Sequence, residues 1–239
     1  MAGEDNPIDN PQDRSTERAR RFARHVASTF VSVARRAVDL AEIEPGQTVL
    51  DVGTATGLVA FLAAERAGRD GSVIGVDASE EMLAIARERS ASVGYDYIRW
   101  QSGDPSQLNF ADESFDAVLC VQALPFVERP SITLEEIRRV LVEQGRLVVT
   151  VWGNKAGNEW IGLLEEGLRR GAPGVRPPSA PPLSQPGNVD MLLQAAGFVE
   201  IEIARLPDLL RFASADGLWD WARGTRSKRL SPRGCAAAR

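Results

Sequence analysis

Between residues 13 and 41 the apolar positions Phe22, Val26, Phe30, Val33, Ala37 and Ala41 recur every three or four residues. That period predicts an amphipathic helix, or two in succession, with one stripe turned toward a core. The turn Glu44-Pro45-Gly46 ends it, and the pattern then changes. Short apolar runs at 48–52, 72–76, 95–100, 115–121 and 145–152 alternate with helical segments, among them one after Ser79 carrying Met82, Leu83, Ile85 and Ala86 and one over 132–142. The run 115–121 (FDAVLCV) is nearly continuous in apolar residues, as a central strand covered on both faces must be. Five strands separated by helices predict a parallel sheet with right-handed crossovers.

Beyond residue 152 the pattern is less regular. Residues 159–170 read as a short helix, and the proline-dense stretch 172–187 as an extended loop. Residues 189–196 are helical up to Gly197. FVEIEIARL at 198–206 alternates as a sixth strand would, 209–213 reads as a last strand, and 218–222 as a last helix. Residues 1–12 are polar and broken by proline, and 225–239 are basic and then small; both ends are expected to be disordered. Between them, 13–224 form one domain: a helical cap (13–44), a core (45–152), and a helix with the proline-rich loop (153–187).

The most informative stretch is 48–64, TVLDVGTATGLVAFLAA. A strand carrying Asp51 breaks into small residues at Gly53, Ala55 and Gly57, and a helix follows at once. Such a turn lets a ligand approach the main chain, and the helix N-terminus offers free N–H groups and a positive dipole end. The place is the carboxyl end of a first strand, where nucleotide-type ligands bind in open α/β sheets. The dinucleotide pattern G-x-G-x-x-G would need glycines at 53, 55 and 58, which hold Gly53, Ala55 and Leu58. Asp77, at the end of the second strand and 20 residues past Gly57, can accept both hydroxyls of a ribose. It can equally be a turn acid or cap the next helix.

DVGTATG resembles the first motif of the class I S-adenosylmethionine-dependent methyltransferases, whose commonest form has glycine where Ala55 stands. GDPSQLNF, with Asp104, and ADESFDAVLCVQAL resemble the family's run through strands three and four. ITLEEIRRVLVEQGRLVVTVW resembles its L-x-E-x-x-R-V-L-K-P-G-G-x-L segment, with Val142-Glu143-Gln144-Gly145 in place of the turn Lys-Pro-Gly-Gly. LLQAAGFVEIEI matches the approach to strand six. The resemblance covers about 48–203 and is nearest to the small-molecule branch with the ubiquinone and menaquinone biosynthesis methyltransferases.

It implies an α/β fold: a single Rossmann-like, doubly wound domain with a mostly parallel seven-stranded sheet, helices on both faces and an N-terminal helical cap. It implies S-adenosyl-L-methionine as cofactor, held by Asp51, Gly53, Thr54, Ala55, Gly57, Asp77, Ala78, Met82, Gly103, Asp104, Pro105, Val121 and Gln122. Asp104 would stand near the adenine amino group, and Gln122 near the methionine end and the acceptor. The reaction implied is methyl transfer to a small-molecule acceptor by in-line displacement, which needs proximity and exclusion of water and no triad. The rival readings are a non-catalytic binding or regulatory protein of the same fold and an NAD-type oxidoreductase.

Composition narrows the rest. The net charge of -5 argues against nucleic acid as partner, since no broad basic face meets phosphates. Two cysteines, Cys120 and Cys235, make neither a disulfide framework nor a metal site. No apolar run approaches membrane-spanning length, and the polar N-terminus lacks an apolar signal core, so a cytoplasmic location is expected. The single histidine, His25, is a candidate base or a structural residue. Trp152, Trp160, Trp219 and Trp221 are candidates for lining an apolar acceptor site or for core packing.

Overall fold

The structure, a computed structural model, describes residues 11–171, 183–207 and 210–224. The expected disorder at 1–10 and 225–239, and residues 172–182 of the proline-rich loop, lie outside them. Residues 11 and 12, expected to be disordered, instead open helix α1 (Pro11–His25). Proline suits a first helical turn, where its missing N–H has no partner to lose. A 3-10 turn (Ala27–Phe30) and α2 (Val31–Leu40) complete the paired helices that the 13–41 periodicity predicts.

Five strands follow: β1 (Thr48–Val52), β2 (Ser72–Asp77), β3 (Arg99–Ser102), β4 (Phe115–Val121) and β5 (Leu141–Thr150). They form one parallel sheet in the order β3-β2-β1-β4-β5. Between them run α3 (Leu58–Ala67), α4 (Glu80–Val93) and α5 (Pro130–Val140). After β5 come α6 (Glu159–Gly171), α7 (Asn188–Ala195) and α8 (Ala215–Gly224).

Both faces of the sheet are covered. Val49, Val73 and Leu119 pack with Ala34, Ala37 and Val38 of α2 and with Val59, Ala60 and Ala63 of α3. Leu50, Val52, Ile74 and Val118 point the other way, onto Leu134 and Ile137 of α5, with Leu192 and Leu193 of α7 alongside. The period of two along β1 separates these two cores, and the fully buried central strands read as near-continuous apolar runs for that reason.

Among the described residues the sheet has five strands, not seven. The stretch 201–207 is irregular; of the alternating apolar residues Val199, Ile201 and Ile203, the first and last are 82% and 65% exposed and Ile201 is half-buried. Residues 210–213 form no strand either. Alternation marks a strand only where a face is buried and a neighbour pairs with it. The third strand starts at Arg99 and not at 95, because Ile98 N–H turns back onto the Tyr95 carbonyl. At 142–145 the chain leaves the ladder. Phe115 pairs with Leu141 and Ala117 with Arg146, so β5 inserts extra residues there.

Candidate active site

Because β3, β2, β1 and β4 are adjacent, their carboxyl ends set the expected site residues in a row along one rim. Asp104 follows β3, Asp77 ends β2, the 53–57 turn follows β1, and Gln122 follows β4. The turn is built from left-handed residues: Gly53 has φ 73°, Ala55 48° and Gly57 87°. The backbone bends sharply enough for Gly53 and Thr54 N–H to donate to the Val76 carbonyl, at 2.8 and 3.0 Å.

The glycines answer first to protein neighbours. A Cβ on Gly53 would stand 2.3 Å from Ala123 Cβ, and one on Gly57 would meet the Trp100 ring at 2.6 Å. Thr54 is buried with its hydroxyl over Gly75, where a Cβ would come within 2.8 Å of it. Only Ala55 adopts the left-handed conformation here against its own Cβ, at a cost of about 1 kcal/mol.

Asp77 organises this corner. Its Oδ2 accepts from Ala55 N–H and its Oδ1 from Ser79 N–H, both at 2.8 Å. Burial pushes its carboxyl above the usual carboxylate range, and these amides offset part of that. The turn-acid role is therefore real, and lone pairs remain on both oxygens for further donors. Ser79 caps α4, accepting from Met82 N–H. Ala78 is exposed between them, and Gly103 N–H donates to the Asp77 carbonyl at 3.1 Å.

Asp51 lies one turn deeper. It is 1% exposed, its Oδ2 has no hydrogen-bond partner, and it faces the Ala60 amide in the first turn of α3. Burial pushes its carboxyl up to about 7, against the pull of Thr54 and the Ala60 amide. At the far side of the turn Gln122 adopts φ 57° while its N–H donates to the Thr150 carbonyl and hydroxyl. Its Oε1 is buried without a partner. Gln122 thus combines a left-handed backbone with a side-chain oxygen that the described residues leave unpaired, at a strand end.

Asp104 is 59% exposed and differently held. Its Oδ1 accepts from Ser106 N–H (2.8 Å) and hydroxyl (2.7 Å), and Arg129 reaches its Oδ2 at 3.5 Å and Ser106 Oγ at 2.6 Å. The Ser106 amide and hydroxyl, with Arg129 behind them, hold its carboxyl below the usual range. Pro105 is half-buried beside it, as is Val121 beside Gln122.

Two contributors escape a reading by residue type. Arg129 is one. The other is the pair Glu136 and Arg139, which ties the chain after Asp104 to α5. Glu136 accepts from Leu108 N–H, and Arg139 donates to the Leu108 and Phe110 carbonyls, all at 2.8 Å. These are the acid and arginine of the L-x-E-x-x-R pattern, so their signal was present in the sequence without its meaning.

Above β5, Trp152, Trp160 and Trp221 pack edge to face with one another, and Phe30 and Phe212 join them. Val26, Leu164 and Trp221 form the buried centre, with Phe22 against it. Trp219, grouped with them on sequence, is 40% exposed and not part of the cluster. His25 is half-buried at the end of α1, beside Val26. Among the described residues no group of His, Cys, Asp or Glu could hold a metal ion, and no helix is long and apolar enough to cross a membrane.

Comparison with known proteins identifies the family and the fold. Residues 50–149 match a family model described as a methyltransferase domain. The chain is 33% identical over 213 residues to nocamycin O-methyltransferase of Saccharothrix syringae, covering 82% of this chain and 76% of that one. It is 41% identical over 115 residues to demethylmenaquinone methyltransferase of Symbiobacterium thermophilum, covering 48% of this chain and 46% of the relative. The fold is similar to that of a methyltransferase from Aquifex aeolicus, with TM-score 0.58 at 20% identity over 75% of this chain and 87% of that one.

Proposed function

The chain belongs to the S-adenosylmethionine-dependent methyltransferases, and from that premise we propose that it methylates a small acceptor with substantial apolar surface. The observation that carries the reading is the row of strand ends, with two carboxylates, a left-handed turn and the unpaired Gln122 Oε1 on one rim. Those groups suit the cofactor's donors. Asp77 takes the ribose hydroxyls with its spare lone pairs, Asp104 the adenine amino group, and Gln122 Oε1 a donor at the methionine end. Gly53, Thr54, Ala55 and Gly57 supply main chain along the cofactor, with Asp51 beneath them. Ala78, Met82, Gly103, Pro105 and Val121 complete its walls.

When bound, S-adenosylmethionine supplies a methyl group already activated on a sulfonium. What this chain must add is orientation and exclusion of water. We assign that to a cap: α1, the 3-10 turn, α6 and α8, joined by the cluster around Trp221. The aromatic interior of this cap favours an apolar acceptor, and the O-methyltransferase relative favours a hydroxyl oxygen as the attacking atom.

Calorimetry with S-adenosylmethionine, S-adenosylhomocysteine and NAD tests the cofactor. The first two are expected to bind and NAD not to. Asp77→Ala should weaken binding at least tenfold, since a hydrogen bond to a charged acceptor is worth about 1.5–3 kcal/mol. Unchanged affinity would remove the ribose assignment. Turnover is then followed as S-adenosylhomocysteine released with phenolic, enolic and quinol acceptors. Binding without turnover on any of them would favour the non-catalytic reading.

A further inference from the structure

The turn after β1 is held from α4 as well as from the sheet. Arg89 of α4 donates from Nη1 to the Thr56 carbonyl at 3.2 Å and to the Thr56 hydroxyl at 3.4 Å. Thr56 is 1% exposed and stands one residue before Gly57, the N-cap of α3. Its carbonyl and the Gly57 N–H belong to one planar peptide unit, so holding the oxygen fixes the direction of the N–H. That N–H donates to the Thr54 carbonyl at 2.9 Å and closes the turn. The 56–57 peptide is therefore gripped at both ends, by Arg89 and by Thr54.

The guanidinium is itself seated. Its central carbon lies over the Phe61 ring, 5.5 Å from the centroid. Phe61 is one helical turn into α3, and its N–H donates to the Gly57 carbonyl at 2.9 Å. The same ring meets Trp100 edge to face at 5.5 Å, and Trp100 is the ring that stands over Gly57. A planar guanidinium can stack on Phe61 while one nitrogen serves both Thr56 oxygens; an ammonium has no plane to stack. At the other end of the turn Gly53 abuts Ala123, the residue after Gln122. The turn thus runs from the Gln122 corner to the first amides of α3.

We propose that Arg89 is a positioning residue for the methionine end of the cofactor. By holding the 56–57 peptide it sets the direction of the turn's main chain and the start of α3. The proposal rests on the rim being the S-adenosylmethionine site, with Gln122 at the methionine end. The adenosine half depends on Arg89 much less, since Asp77 keeps its bond from Ser79 N–H and Asp104 its bonds from Ser106.

Calorimetry with two ligands separates these halves. S-adenosylhomocysteine carries the amino-acid end; 5′-methylthioadenosine keeps the adenosine and the thioether and lacks it. Arg89→Met is expected to weaken S-adenosylhomocysteine binding by about five- to twentyfold, and 5′-methylthioadenosine binding by less than about twofold. Arg89→Lys, which can still reach the Thr56 carbonyl, should fall between Arg89→Met and wild type. Thr56→Val removes only the hydroxyl acceptor and should cost less than Arg89→Met, and adding it to Arg89→Met should cost nothing more. A general loosening of the fold would weaken both ligands alike. Equal weakening of the two, or wild-type affinity for S-adenosylhomocysteine in Arg89→Met, would overturn the positioning role and leave the cofactor reading intact. Should Arg89→Met not fold, Arg89→Lys carries the same two-ligand comparison. A wild-type protein that binds neither ligand would overturn the cofactor reading and the proposal together.

Discussion

Asp51 shows how a single side chain can set a pH dependence. In the unfolded chain its carboxyl ionises near 3.8, and in the fold burial raises it to about 7. Folding therefore favours the protonated form. Below the unfolded value the group costs nothing. As pH rises from there to about 7, the unfolded state gains charge that the folded site resists, so stability falls, and the loss is complete above 7. At one unit per 1.36 kcal/mol the full penalty is on the order of 4 kcal/mol. Asp51→Asn keeps the shape and removes the ionisation. Its melting temperature should exceed wild type at pH 8 by several degrees, by less than half as much at pH 5, and not at all below pH 3.5. Equal differences at all three would mean that Asp51 is not the titrating group. At the same scale Ala55 keeps a left-handed turn without the usual glycine, because the Asp77 carboxylate holds its amide in place.

At the scale of elements, what could be read from the sequence depended on whether local and tertiary preferences agreed. β4 has the boundaries its apolar run predicts, since both faces are buried, and Ser79 caps α4 through its own hydroxyl as expected. The stretch from 95 misled because aromatic residues favour strands. Here Tyr95 packs at a tilt against Phe61 and Tyr97, Arg69 lies over Tyr97, and only from Arg99 does the backbone pair with β2. The alternation at 198–206 misled because period two does not say that a partner strand is present. The candidate site was legible as positions on strand ends, but its support was not, since Glu136 and Arg139 reach across about thirty residues to the chain after Asp104. Arg139→Ala removes donors to two carbonyls and the partner of Glu136 and Asp112. We expect a loss of about 1–3 kcal/mol in stability. Cofactor binding should weaken several-fold as Asp104 loses its frame. A variant melting like wild type, with unchanged cofactor affinity, would show that the loop holds Asp104 unaided.

The whole molecule sets a sheet with two buried faces beside a group of helices joined by one aromatic cluster, the group we propose as the cap. Cluster and sheet are built from different chemistry. The sheet cores are aliphatic and continuous, whereas the cap depends on rings contributed from both ends of the chain. Trp221 is the joint. It is 1% exposed, touches Trp152, Trp160 and Phe212, and donates from Nε1 to Thr29 Oγ1 at 2.9 Å, tying α8 to the turn after α1. Trp221→Ala removes the largest fully buried side chain among the described residues and takes away the donor to Thr29 Oγ1, whose hydroxyl keeps its bond to the Val26 carbonyl, for a cost of about 3–5 kcal/mol. Because β1, β2 and β4 bury their own cores, the loss should fall on the cap. Hydrogen exchange should accelerate in α1, α6 and α8 and stay slow in the central strands. S-adenosylmethionine should still bind within tenfold, through the rim and what remains of α1, while turnover of any acceptor is lost. Uniform acceleration through cap and sheet would show instead that the two unfold as one unit, and that the acceptor side cannot be altered without losing the cofactor side.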